Sequence, residues 1–187
     1  MLLIADILFI LLISFYLTYL LSNKIPHKGA LFLVLFATIF LHELAHKAVA
    51  SYFGYVSYIT AEGSFYFLII TTVIYLLTGL MVPPPIYTSI FAKKVENSIM
   101  YYSITNILEE NALHIALIAI AGPIVNLLLA LISFIIIKRK LYDTEFEEEL
   151  FKIMLQINTL IFIVNILPII PGNDGSIFME ALEVLLK

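Results

Sequence analysis

The sequence of 187 residues contains no cysteine, and only 13% of its residues are charged. Without cysteine, the chain has no disulfide framework, no thiolate metal ligand and no cysteine nucleophile. Lysine and arginine total ten against fourteen acidic residues, so the chain lacks the basic face that binds nucleic acid. Any bound metal ion must therefore be held by histidine, aspartate or glutamate, and there are only four histidines.

Hydrophobic residues make up 62% of the chain, and its mean hydropathy is +1.05. An ordinary soluble domain has about 45–50% apolar residues and about 25% charged residues. A soluble domain of this length has too little interior to hide so much apolar surface from water. The composition excludes a soluble globular enzyme. It predicts an integral, multi-pass membrane protein that is surrounded by the lipid bilayer, with the cell membrane as the expected location.

The apolar runs predict an all-α membrane protein, a polytopic helical bundle of about five to six membrane segments. A spanning helix needs about 20 mostly apolar residues. Runs of this kind predict helices at about 2–22, 29–53, 63–82, 112–137 and 150–168, followed by a short helix at 175–186. No internal repeat and no sizeable extramembrane region is visible, so residues 1–187 are expected to form a single membrane-embedded domain.

Proline and glycine interrupt the apolar sequence in two places. The three prolines at 83–85 must end the helix before them because proline has no backbone N–H. One hypothesis is a re-entrant hairpin that turns there, but the sequence leaves open whether residues 63–82 cross the bilayer or are re-entrant. Two prolines and two glycines between 168 and 175 predict a broken, partly extended segment near 165–175. Non-helical backbone at membrane depth is tolerated only where it is buried in protein or lines a wet cavity. A functional site is therefore expected near the second interruption.

The sequence His42-Glu43-Leu44-Ala45-His46 places two histidines on one face of a predicted helix. Both imidazoles can reach one cation, and Glu43 can reach a water on that cation without ligating it. Metal-assisted hydrolysis uses this arrangement. A charge at the bilayer centre costs about 2.5–3.5 kcal/mol on insertion scales, so ionisable residues there are functional by default. The pattern predicts a metal site; the alternative is a chance match with polar groups at the membrane interface.

Zinc needs a third protein ligand and an open position for water. His27 lies in a loop beside lysines, and His114 begins an apolar helix where a capping or interfacial role is expected. Asp174 is the only acidic residue between Lys152 and Met179, and it follows the broken segment. Its alternative role is that of a turn or helix N-cap residue in a Pro-Gly-Asn-Asp-Gly loop. Given the histidine pair, Asp174 is the best available third ligand.

Three motifs, in this order, resemble the signatures of the site-2 proteases, which are intramembrane zinc metalloproteases. The motifs are His42-Glu43-x-x-His46, Ala121-Gly122-Pro123-Ile-Val-Asn126 and Asn165-x-x-Pro168-x-x-Pro171-x-x-Asp174-Gly175. The resemblance covers about residues 30–180 and is to the compact form without a regulatory domain. Asn173 departs from the family pattern, because family loops often place the aspartate at that position.

The resemblance implies one zinc ion per chain, with His42, His46 and Asp174 as ligands and Glu43 as the general base. It also implies that Asn126 and Asn165 steady the site or support the oxyanion and the substrate.

As a member of this family, the chain would hydrolyse peptide bonds of transmembrane protein substrates, as in regulated intramembrane proteolysis. The helix at 2–22 would be peripheral, and residues 29–186 would form the catalytic core. The alternatives are a catalytically inactive family member and a membrane protein that binds or transports a metal. No nucleic acid partner is expected, and the sequence leaves the oligomeric state open.

Overall fold

A computed structural model describes residues 4–22, 27–59, 61–79, 88–91 and 104–187. The described residues form helices and one short antiparallel ribbon. In chain order the elements are α1 (Ile4–Leu21), α2 (Lys28–Tyr52), β1 (Val56–Ile59), α3 (Ala61–Thr78), β2 (Thr88–Phe91), α4 (Ile104–Arg139), α5 (Glu145–Ile166) and α6 (Asp174–Leu185). The described part of the chain is thus predominantly helical, as expected, and the ribbon is an addition to the predicted all-α fold.

Helices α5 and α4 begin earlier than predicted, and the local backbone and capping geometry explains both differences. Helix α5 begins at Glu145, earlier than predicted, because Thr144 and Glu147 form a capping box. The Thr144 hydroxyl accepts from the Glu147 N–H at 3.2 Å, and the Glu147 carboxylate accepts from the Thr144 N–H at 3.1 Å. Helix α4 begins earlier than predicted because two helical stretches join at Asn111, whose backbone is non-helical (φ −144°, ψ 51°).

Four of the described helices are long and apolar enough to cross a membrane. They are Ile4–Leu21, Lys28–Tyr52, Asn111–Arg139 and Glu145–Ile166. The predicted count of five to six segments also included α3, which has 18 residues, and α6, which has 12 residues. The long helices carry large apolar side chains on exposed faces, including Leu12 and Phe15 on α1 and Leu128, Ile132 and Ile135 on α4. Apolar surface of this extent needs a covering partner, and a bilayer is one.

The ribbon of β1 and β2 brings together two parts of the chain between α2 and α4. Val56 lies opposite Phe91, and Ile59 lies opposite Thr88. The chain therefore enters and leaves the stretch 60–87, which contains α3, at one place. The predicted hairpin turn at 83–85 lies outside the described residues.

Helix α4 packs against α2, α5 and α6, and α1 packs on α2. One cluster of buried aliphatic side chains fills the space among α1, α2 and α5; it includes Ile10, Leu17, Leu31, Leu35, Ile153 and Ile157. A second cluster joins α2, α4 and α6 and includes Ala50, Ile115, Ile118 and Ala181. Between these clusters the facing sides of α2, α4 and α6 carry polar residues.

The predicted break between α5 and α6 is present at residues 167–173. Leu167 (φ −77°, ψ 124°) and Asn173 (φ −74°, ψ 169°), at its two ends, are extended. Hydrogen bonds within the segment fold it into turns: the Asn173 N–H donates to the Ile170 carbonyl at 3.1 Å, and the Gly172 N–H donates to the Ser176 hydroxyl at 2.8 Å. The segment therefore forms turns and does not run as a strand, and the start of α6 lies against the end of α5.

Candidate metal centre

The structure brings the three predicted ligands together between α2 and α6. His42 and His46 lie one turn apart on α2, and Asp174 is the first residue of α6. His42 Nε2 lies 3.0 Å from His46 Nε2 and 3.2 Å from Asp174 Oδ2, and His46 Nε2 lies 3.4 Å from Asp174 Oδ1. Both histidines are buried and Asp174 is largely buried, so the three side chains form a compact polar group inside the bundle.

Each histidine turns its Nε2 atom to the centre because its Nδ1 atom is engaged elsewhere. His46 Nδ1 lies 2.7 Å from the backbone carbonyl of Ile118, and His42 Nδ1 lies 2.5 Å from Asn126 Oδ1. A carbonyl oxygen can only accept, so each Nδ1 carries the hydrogen in a neutral ring, and each Nε2 keeps its lone pair. Metal-ligating histidines in proteins are oriented in the same way.

The three ligand atoms fit a divalent metal ion. Three atoms bound to zinc at about 2.0–2.1 Å in a tetrahedral arrangement lie about 3.3 Å from one another. The two imidazole nitrogens lie 3.0 Å apart, and each lies near a different oxygen of Asp174, at 3.2 Å for Oδ2 and 3.4 Å for Oδ1, so the three side chains are close enough together to share one ion. Asp174 Oδ2 is buried and accepts no hydrogen bond from the described residues, so a cation between the ligands would satisfy it. Two imidazoles and a carboxylate suit zinc, and they would also bind cobalt or iron.

Gly122 of α4 keeps open the space in front of the two imidazoles. A Cβ atom at this position would lie 2.3 Å from His46 Nε2 and 2.6 Å from His42 Nε2. A zinc–nitrogen bond is about 2.0–2.1 Å long, so a Cβ this close to both Nε2 atoms would crowd an ion that they bind. In the sequence Gly122 is part of the second motif; the structure adds that its lack of a side chain is what lets α4 lie against both imidazoles.

Asn173 positions α6, and with it Asp174. Its Oδ1 accepts from the Ser176 N–H at 2.9 Å, which makes Asn173 the N-cap of α6. Its Nδ2 donates to the carbonyls of Val164 at 2.9 Å and Leu167 at 2.7 Å, at the end of α5. One side chain therefore satisfies backbone groups at two helix ends. The alternative role of Asp174 as the N-cap is wrong, and its carboxylate is available to face the histidines.

Gly175 allows α6 to begin close to the end of α5. A Cβ on Gly175 would lie 2.3 Å from the carbonyl oxygen of Ile166. Because backbone atoms cannot move aside as a flexible side chain can, any larger residue would push the start of α6 away. The position of Asp174 opposite the histidines thus depends on the glycine that follows it.

Asn126 belongs to a buried chain of hydrogen bonds that the sequence analysis did not find. Asn126 Nδ2 donates to Asn158 Oδ1 at 3.1 Å. Asn158 Nδ2 in turn donates to Thr38 Oγ1 at 3.1 Å and to the Met154 carbonyl at 2.8 Å. The available signal for Asn158 was weak, because it is one of three amide side chains, with Gln156 and Asn165, in an apolar stretch long enough to span a membrane.

Glu43 and Asn165 are placed differently with respect to the cluster. Glu43 is fully buried on α2, next to His42 in the chain and within electrostatic reach of His46. Asn165 lies half-buried in the last turn of α5, and its side chain makes no hydrogen bond with another residue that the structure describes. The catalytic role of Glu43 and the substrate or oxyanion roles of Asn126 and Asn165 stay predictions.

The other two histidines lie outside the cluster. His27 is exposed and pairs with Glu149, with Nε2 2.9 Å from the carboxylate. His114 stacks on Phe53 at 4.0 Å between ring centres, and its Nδ1 lies 3.2 Å from the Tyr55 hydroxyl. Neither histidine belongs to the group of residues that could hold a metal in the described part of the chain.

Comparisons with protein-family models, with curated proteins and with solved structures found no match to this chain. The site-2 protease resemblance therefore rests on the three sequence motifs. The function is inferred from the geometry of the site.

Proposed function

We propose that this chain is an intramembrane zinc metalloprotease, similar to the site-2 proteases, that hydrolyses peptide bonds of transmembrane protein substrates. The observation that carries the proposal is the compact grouping of His42, His46 and Asp174, whose ligand atoms are close enough together to share one metal ion, with the buried Glu43 next to His42 in the chain. Gly122 supports it, because any larger residue there would press a Cβ against both Nε2 atoms that would bind the metal.

A multi-pass protein of the cell membrane is part of the same proposal. Four helices are long and apolar enough to cross a bilayer, and their exposed faces carry large apolar side chains. The ligand pair lies within one of these four helices, α2, well inside its sequence. The reaction would therefore take place at membrane depth, where a helical substrate must be unwound locally before its peptide carbonyls can be attacked.

The chemistry divides between the metal and the protein. A zinc ion held by the three ligands would lower the pKa of a bound water to about 7 and polarise the substrate carbonyl. Glu43 accepts the proton of the attacking water as the water oxygen bonds to the carbonyl carbon. Glu43 then returns the proton to the amine nitrogen as the carbon–nitrogen bond breaks. Asn126 holds the His42 ring in place during both steps through the bond to Nδ1.

The test compares wild type with Glu43→Gln after purification in detergent, measuring zinc content and cleavage of a set of transmembrane reporter substrates. Glu180→Gln is the matched control, because Glu180 is an exposed carboxylate on the helix that carries Asp174. We expect about one zinc per chain in all three proteins and cleavage by wild type and Glu180→Gln only.

Two results would contradict the proposal. Cleavage by Glu43→Gln at the wild-type rate would remove Glu43 as the general base. Zinc in all three proteins with no cleavage of any reporter would favour an inactive family member or a protein that binds or transports a metal.

A further inference from the structure

We infer that Asn158 is a positioning residue that sets the tautomer of His42 through the side-chain amide of Asn126. The inference rests on the metal-binding part of the proposed function and is independent of proteolysis. It concerns a chain of contacts that starts on α2 at Thr38, crosses α5 and α4, and returns to α2 at His42.

The orientation of the Asn158 amide is determined by a backbone carbonyl. Asn158 Nδ2 lies 2.8 Å from the carbonyl oxygen of Met154, which can only accept a hydrogen bond. Exchanging Oδ1 and Nδ2 of Asn158 would place two acceptor oxygens against each other. Thr38 Oγ1, at 3.1 Å, accepts the second N–H of the same amide group. Asn158 therefore presents its oxygen, and not its nitrogen, to Asn126.

The orientation of the Asn158 amide determines the orientation of the Asn126 amide, which in turn determines the tautomer of His42. Because Asn158 Oδ1 can only accept, Asn126 must place Nδ2 towards it, at 3.1 Å. Asn126 Oδ1 then faces His42 Nδ1 at 2.5 Å, so His42 must carry its hydrogen on Nδ1. The Nε2 atom is left with the lone pair that binds a metal. A reversed Asn126 amide would instead favour hydrogen on Nε2, and that tautomer cannot be a ligand.

The two histidines differ in how their tautomers are determined. His46 Nδ1 bonds to the backbone carbonyl of Ile118, which has no alternative orientation. His42 depends on a side-chain amide, which could rotate by 180° if its partner were lost. Asn126 and Asn158 have no exposed surface and Thr38 is almost fully buried, so water has little access to replace a missing partner. An Asn158 variant should thus affect His42 and leave His46 unchanged.

The experiment measures the tautomers of both histidines in the metal-free protein by ¹⁵N NMR of the imidazoles, at a pH high enough for both rings to be neutral, together with zinc affinity by chelator competition. In wild type we expect hydrogen on Nδ1 of both rings. In Asn158→Leu we expect His42 to become a mixture of tautomers, His46 to stay as in wild type, and zinc affinity to fall about 10–100-fold. Ser133→Ala is the control, because Ser133 is a buried polar residue on α4 that bonds to the Leu129 carbonyl of its own helix.

A double variant separates this role from simple packing. Asn126→Asp presents an acceptor oxygen to His42 in either orientation, so it removes the need for Asn158. In Asn158→Leu combined with Asn126→Asp, we expect the Nδ1–H tautomer of His42 and most of the zinc affinity to return.

An unchanged His42 tautomer in Asn158→Leu would overturn the inference, as would a double variant that binds zinc more weakly than Asn158→Leu. If wild type bound no zinc, the metal in the proposed function would be refuted, while the tautomer measurement on metal-free protein would still decide the inference.

Discussion

Replacing Gly122 by alanine tests the candidate metal centre most directly, because it adds one methyl group against the Nε2 atoms of both histidines. The new Cβ would be 2.3 Å from His46 Nε2 and 2.6 Å from His42 Nε2, whereas ordinary van der Waals contact begins at 3.4 Å. The imidazoles or the α4 backbone would have to separate by about 1.1 Å and 0.8 Å, respectively. Pro123 follows directly and is fully buried within the packed helix, so α4 has little freedom to move away.

The expected loss of zinc affinity follows from these displacements. Metal–ligand distances in proteins hold to within about 0.2 Å, so a shift of about 1 Å removes at least one histidine from coordination. We expect the dissociation constant for zinc to rise by at least about 100-fold, equivalent to about 2.7 kcal/mol. The proposed proteolytic activity should fall in parallel, because hydrolysis would depend on the bound metal.

The assay is competition for zinc with a chromophoric chelator, on purified protein in detergent. Gly29→Ala is the matched control, because Gly29 lies on the ligand-bearing helix α2 and a Cβ there meets no atom within 4 Å. We expect Gly29→Ala to leave zinc affinity unchanged and to stabilise the helix by up to about 1 kcal/mol. A Gly122→Ala protein that binds zinc within about threefold of wild type would refute the assignment of this space to the metal.

Two further predictions concern the contacts that hold the site in place. Asn173→Ala should lower both the free energy of unfolding and zinc affinity, because α6 loses its N-cap and its bonds to the end of α5. Thr144→Ala is the control, because it removes the N-cap of α5, which lies outside the site. It should lower the free energy of unfolding by about 1 kcal/mol and leave zinc affinity unchanged. An equal loss of zinc affinity in both variants would contradict this prediction. Asp6→Asn should destabilise the fold by about 3–5 kcal/mol, since Asp6 and Lys47 form a buried ion pair at 2.9 Å. Thermal unfolding in detergent measures the loss, and full stability of Asp6→Asn would show that the pair does not hold α1 on α2.

The helices were predictable because their signals are local. A run of apolar residues long enough to span a bilayer marks each of α1, α2 and α5, whatever the rest of the chain does. The start of α5 was predictable in principle too, because Thr144 and Glu147 have the spacing of a capping box. The ribbon was not predicted, since β1 and β2 are short and acquire their hydrogen bonds from each other across the intervening stretch 60–87.

The sequence by itself determined the paired histidines and their neighbouring glutamate, because a spacing of four residues on a helix decides which side chains share a face. Only the tertiary structure decided which atoms complete the site. The bond between His42 and Asn126 joins residues 84 positions apart, and that between Asn158 and Thr38 joins residues 120 positions apart. Contacts of that range depend on how the helices pack, and no local pattern along the chain encodes the packing.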